Sequence, residues 1–203
     1  MLIYAPFAIM LLFVFAYYFA FEYSRYKTAK ILAEGLGGKA VFRLGRSYMR
    51  RDHDGVQERA WIVPDDKMAW GSFLSALLPS AVILFLQRDT DPGFRFHIEP
   101  KAGMLFRTIS LGSLNDGDFT VPQLDENLRL RTNRPAEAAA YFSAPEREQA
   151  LVALFGAGFT QLKGEHGAIV ATAKGISADN LSPGGIDRFL GHLRSFHGVC
   201  PRA

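Results

Sequence analysis

The side chains that could do chemistry are few in this 203-residue chain, and their spacing argues against most of what they could do. His192, His197 and Cys200 form its one gathering of metal-ligand types. Two ligands on one helix face stand four residues apart, but His192 and His197 are five apart, with no carboxylate at matching spacing. A single Cys excludes an internal disulfide and any multi-cysteine zinc site. Cys200 beside Pro201 has nothing near it in sequence to activate a thiolate. The acid pairs Asp65-Asp66, Asp89 with Asp91, and Asp116 with Asp118 sit in turn-like settings, where Asp is explained by backbone chemistry. Asp125-Glu126 has no partner base in view, and His53, His97 and His166 read as turn or polar-face residues. There is no G-x-S-x-G, no phosphate-binding loop and no G-x-G-x-x-G after a strand, and Gly35-Leu36-Gly37-Gly38 follows a helix. We therefore expect a non-enzymatic protein with no catalytic residue, metal site or cofactor.

The basic residues are more informative. Arg25, Lys27 and Lys30 directly follow a long apolar run, and Arg43 and Arg46 come soon after. These five are the candidate membrane-surface contacts, each worth about 1 kcal/mol near anionic headgroups. Arg50, Arg51 and Arg59 extend the stretch, but Asp52, Asp54 and Glu58 are interleaved and cut the local field, as on a solvated hairpin face. A net charge of +3 is too mild to imply nucleic-acid binding. The aromatic residues outside the apolar run alternate as core does, rather than forming a stacking platform for bases.

Leu2–Phe21 (LIYAPFAIMLLFVFAYYFAF) is apolar throughout, and every charged side chain lies after it. As a helix rising about 1.5 Å per residue, it covers about 30 Å, the hydrocarbon thickness of a bilayer. Tyr17, Tyr18 and Tyr23 mark an interfacial belt at its far end. A cleaved signal peptide would need a basic start, a shorter core and a small-residue cleavage site, which this run lacks. The basic flank after the span predicts a single-pass membrane protein with its C-terminal domain in the cytoplasm. Met68–Gln87 is a second charge-free run and could touch or span the membrane. Pro79 at its centre, three serines and the β-branched character of 81–86 favour a short helix or loop (70–78) followed by a buried strand (81–87).

Three parts follow: a transmembrane anchor (1–23), a juxtamembrane helix running through water with a Gly-rich linker (24–38), and an α+β domain (39–203). Asp52-His53-Asp54-Gly55 between two short runs reads as a hairpin, and so does Gly164-Glu165-His166-Gly167. Phe94–Glu99 alternates, placing Phe94, Phe96 and Ile98 toward a core and Arg95, His97 and Glu99 away from it. Met104–Ile109 and Leu128–Arg131 are further strands. Pro135, Pro145 and Ser182-Pro183 each open a helix. The expected fold is α+β: an N-terminal transmembrane helix, mainly antiparallel sheet over 40–131, then a helix–hairpin–helix C-terminal part.

The tract Gly117–Pro135 (GDFTVPQLDENLRLRTNRP) resembles a "GD…FD..F.V.SN.P" stretch in the DUF3137-like group of bacterial membrane-anchored proteins of unknown function. Leu124-Asp125 stands in place of the group's Phe-Asp, and the likeness extends over about residues 90–198. The resemblance implies a membrane anchor and this order of helices and hairpin, with no catalytic residues to carry over.

The expected function is that of a structural or accessory component of a membrane protein assembly. Its partners would be the lipid bilayer and other membrane proteins or a second copy of itself. The alternatives are an enzyme acting on a lipid or membrane-borne substrate through an apolar cleft around 70–87, and a sensor of anionic lipid.

Overall fold

The computed structural model describes residues 5–43, 46–64, 82–101, 114–119, 121–165, 167–176 and 181–196. Helix α1 (Ala5–Leu36) is continuous over 32 residues. Residues 6–20 are exposed, and Phe7, Leu12, Phe13 and Phe19 keep 62–73% of their surface open. Farther along the same helix, Ala29, Leu32 and Ala33 are buried. The segment expected to run through water therefore packs into the domain. Its end is a glycine cap: Gly37 takes φ +69° and the Gly38 N–H donates to the Ala33 carbonyl at 2.8 Å.

The strands are β1 (Lys39–Val41), β2 (Tyr48–His53), β3 (Val56–Pro64), β4 (Val82–Arg88), β5 (Phe96–Pro100), β6 (Asn115–Gly117), β7 (Leu128–Thr132), β8 (Phe159–Glu165) and β9 (Ala168–Lys174). They form one nine-stranded sheet, ordered β1-β2-β3-β4-β9-β8-β5-β7-β6. Every neighbouring pair is antiparallel. The sheet thus does not stop at residue 131: β8–β9 occupies its middle and joins the β1–β4 meander to the β5–β7–β6 group. The apolar run 68–87 ends in β4, so it does not form a single spanning helix; the helix or loop expected over 70–78, and the strand expected over 104–109, lie outside the described residues.

The helices α2 (Pro122–Asn127), α3 (Pro135–Phe142), α4 (Pro145–Gly156) and α5 (Pro183–Arg194) complete the chain. One face of the sheet carries the helices: α1 lies on β1–β3, α5 on β4 beside α1, α4 on β8, and α3 on β6 and β7. The register explains why this face is the core. A single row, Ala40–Met49–Ala60–Leu86–Ala171–Leu162–Ile98–Leu130–Gly117, crosses all nine strands. From Met49 to Leu130 every member is at most 1% exposed. Phe142 of α3 meets Phe96 edge-on, ring centres 4.8 Å apart, and Phe189 of α5 meets Phe159 at 5.1 Å.

Candidate functional site

The basic residues expected to contact a membrane surface do not form one patch. Arg25 is part-buried and bonds the wholly buried Glu22 at 2.8 Å, Lys30 lies 3.8 Å from Glu34, and Lys27 is exposed. Arg43 is exposed, and the Arg46 guanidinium lies over Trp61, 4.3 Å from the ring centre. Trp61 in turn stacks on Phe85 at 5.2 Å.

Arg51 leaves the hairpin surface altogether. The row beside the core row runs Arg51–Glu58–Arg88, three charged neighbours on β2, β3 and β4 pointing under the helices. Glu58 is wholly buried and Arg88 is 2% exposed. Glu58 accepts from Arg51 at 2.9 Å, from Arg194 of α5 at 2.9 and 3.1 Å, and from Arg88. Asp187 accepts from Arg194 at 2.9 Å and from Arg51, which also donates to the Leu36 carbonyl at the end of α1. Burial alone would raise the Glu58 pKa, but the hydrogen bonds and charges of Arg194 and Arg51 outweigh it and hold the carboxyl below its ordinary value. Asp187 is lowered chiefly by the Arg51 hydrogen bond. Sequence reasoning took Glu58 for a neutralising surface acid. The available signal was parity: Glu58 shares its face with Ala60, and Arg88 with Leu84 and Leu86.

The opposite face is different in kind. Its corresponding row reads Lys39–Arg50–Arg59–Gln87–Val170–Lys163–His97–Arg131–Asp116. Arg59 is engaged by Gln57 and by Asp89 at 3.0 Å. His97 does point away from Phe96 and Ile98, yet it is only 6% exposed, so the expected solvent-facing residue is buried. Neither ring nitrogen has a hydrogen-bond partner among the described residues, and Glu99 is 3.7 Å from Nε2. Burial first, then the charges of Lys163 and Arg131, push its pKa down to about 4, so the ring is neutral at neutral pH. A cavity of about 40 Å³ opens beside it, lined by His97, Lys163, Gly164, Glu165, Arg95 and Leu114.

The other residues singled out in the sequence do not converge. His192 is half-buried on α5, its pKa lowered by burial and by Arg188; His197, Cys200, His166, Asp65 and Asp66 lie outside the described residues. Asp116 pairs with Arg129 at 2.9 and 3.0 Å. No group of three or more metal-ligating side chains occurs among the described residues.

No protein-family model and no curated protein matches the chain. Among solved structures, the crystal structure of the mycobacterial trehalose monomycolate transport factor A, TtfA, is similar, with a TM-score of 0.53. The match covers 83% of this chain and 92% of that chain at 8% identity. The likeness is one of fold. Separately, α1 is a helix near the N-terminus long and apolar enough to cross a membrane.

Proposed function

We propose that the chain is a non-enzymatic, single-span accessory component of a membrane protein assembly, its domain in the cytoplasm of a bacterial cell. One observation carries this reading: α1 is an unbroken helix whose residues 6–20 are exposed and apolar or tyrosine, and whose later turns bury Ala29, Leu32 and Ala33 in the domain. A helix without a hinge holds the domain at fixed distance and tilt from the bilayer, which is what a positioning subunit requires. Arg51 reinforces the attachment by tying the last turn of α1 to the buried Glu58. The fold shared with a transport factor supports an accessory role, and the basic residues following the span support a cytoplasmic domain. The likeness of 117–135 to DUF3137-like proteins belongs to the same proposal.

The test is recovery of the full chain in mild detergent with identification of what is retained, alongside a variant whose residues 6–20 are replaced by an unrelated apolar span. Partners retained by the native chain and lost from the variant support the reading. Retention of none, or a chain recovered in the soluble fraction, sinks it. A reporter fused after Ala203 should give a cytoplasmic signal; a periplasmic one reverses the orientation. A single polar substitution that abolishes the biological role while fold and membrane residence persist would replace this reading with an enzymatic one.

A further inference from the structure

We infer that Lys163 and His97, with Arg131 beside His97, form a binding site for a phosphate-type oxyanion on the face of the sheet opposite the described helices. The three residues are direct cross-strand neighbours on β8, β5 and β7, so their side chains stand in line on one face. Cationic groups flanking a histidine this way repel one another and oppose its protonation, an arrangement that costs stability unless something negative sits among them. The local carboxylates are spoken for or ill placed. Asp116 takes both bonds of Arg129 and stays 4.0 Å from the Arg131 Nε, while Glu99 is beyond hydrogen-bond distance of His97. Glu165, at the end of β8, has an interaction of its own.

Three polar atoms are left with unmet hydrogen-bonding capacity. Both His97 nitrogens and the Arg131 Nε are buried and make no hydrogen bond among the described residues. A buried polar side chain without a partner is costly, and an imidazole in that condition beside an opening is a donor awaiting an acceptor. The cavity of about 40 Å³ lies against His97 and Lys163. A water requires roughly 10–15 Å³ in this measure, so the space fits the few oxygens of one phosphate group rather than a large ligand. Gly164 meets the cavity with its backbone, because its Cβ direction is filled by the Phe96 ring on the other face of the sheet. A neutral imidazole offers one N–H, the Lys163 ammonium supplies charge, and an oxyanion satisfies both at once. The same chemistry fits free phosphate or the phosphodiester of a lipid headgroup.

The experiment uses the full chain in a maltoside detergent and phosphate-free buffer, ionic strength matched with chloride. Thermal unfolding is followed with added inorganic phosphate and, separately, with dihexanoyl phosphatidylglycerol below its micellar concentration. A rise in Tm of about 5 °C at saturation with either compound supports the site, and the compound that gives it names the source. The rise should disappear in Lys163→Met and in His97→Gln, and persist in Lys39→Met, which removes a charge at the far end of the same row. Using two site variants covers the case in which one fails to fold. No rise with either compound, or an equal rise in the native chain and a folded site variant, overturns the proposal.

Discussion

Gly35, near the end of α1, lies directly against the ring of Pro183 at the start of α5: a Cβ built on Gly35 would overlap the Pro183 Cβ and Cγ. Glycine inside a helix costs about 1 kcal/mol relative to alanine, so its use here reflects the close approach of the two helices. The contact is where α1 meets α5, the last described helix. Gly35→Leu should destabilise the full chain by about 1–3 kcal/mol in denaturant unfolding, because a proline ring cannot rotate away. Gly156 is the control. It also lies in a helix but has open space around it, and Gly156→Ala should be neutral or mildly stabilising. Equal effects at the two sites would show that the α1–α5 approach is not tight.

A second close approach pins the middle of the sheet. A Cβ on Gly164 of β8 would fall within the ring of Phe96, its cross-strand partner on β5. Phe96 is packed in turn by Phe142. Gly164→Ala should therefore cost about 1–3 kcal/mol, despite alanine's lower backbone entropy in the unfolded chain. A double substitution with Phe96→Leu should recover part of the loss, and strictly additive losses would argue against the contact.

Glu58 sits among three arginines with no exposed surface. Removing one partner from a buried ionic group strands the others, so Glu58→Gln should destabilise by about 3–5 kcal/mol. The lowered pKa fixes the pH dependence. The folded state holds the carboxylate ionised below the ordinary value of 4.5, so its stabilisation is present above that pH and is lost as pH falls through the folded value. The native chain should thus lose stability below about pH 4.5 more steeply than Glu58→Gln. A variant as stable as the native chain at pH 7 would show that the cluster is not held together by its charge.

The local elements were legible in the sequence wherever a residue forces the backbone. Asp54 and Gly55 both take positive φ in the β2–β3 turn, as the Asp-Gly pair predicts. Ser182 caps α5 by accepting from the Gly185 N–H at 3.2 Å, and Pro135 and Pro145 open α3 and α4. Asn115–Gly117 looked like turn residues yet forms edge strand β6, because Asp116 gains Arg129 and Arg131 across the register. The six-residue α2 is too short for periodicity to reveal. Strand order was hidden too. Nothing local tells β8–β9 to enter between β4 and β5, since that choice is made by packing between residues about 65 to 90 apart in the chain. The charged site was hidden for a related reason: alternation tells which residues share a face, but not that Arg51 and Glu58 turn to the covered face and His97 to a buried part of the other.

His97 gives the prediction with the sharpest pH window. Its pKa falls from the ordinary 6.5 to about 4 on folding, with burial the largest cause and Lys163 and Arg131 adding to it. Between those two values the unfolded chain binds a proton that the folded chain refuses, so stability rises with pH across the window. It is complete above 6.5, declines as pH falls toward 4, and levels off below. The total is up to about 3 kcal/mol for a group this buried. The groups facing the ring set the sign: Lys163 from β8 and Arg131 from β7 oppose protonation, and Glu99 on β5, at 3.7 Å, does not offset them. In His97→Gln the slope of unfolding free energy between pH 6.5 and 4.5 should flatten, while the Glu58-dependent loss below pH 4.5 remains. Two-dimensional NMR of the ring carbons provides an independent reading, with the His97 titration displaced well below the ordinary histidine value of 6.5. An unchanged slope in the variant, or a His97 midpoint near 6.5, would show that the ring is neither buried nor held neutral, and the anion site built around it would fall with that result.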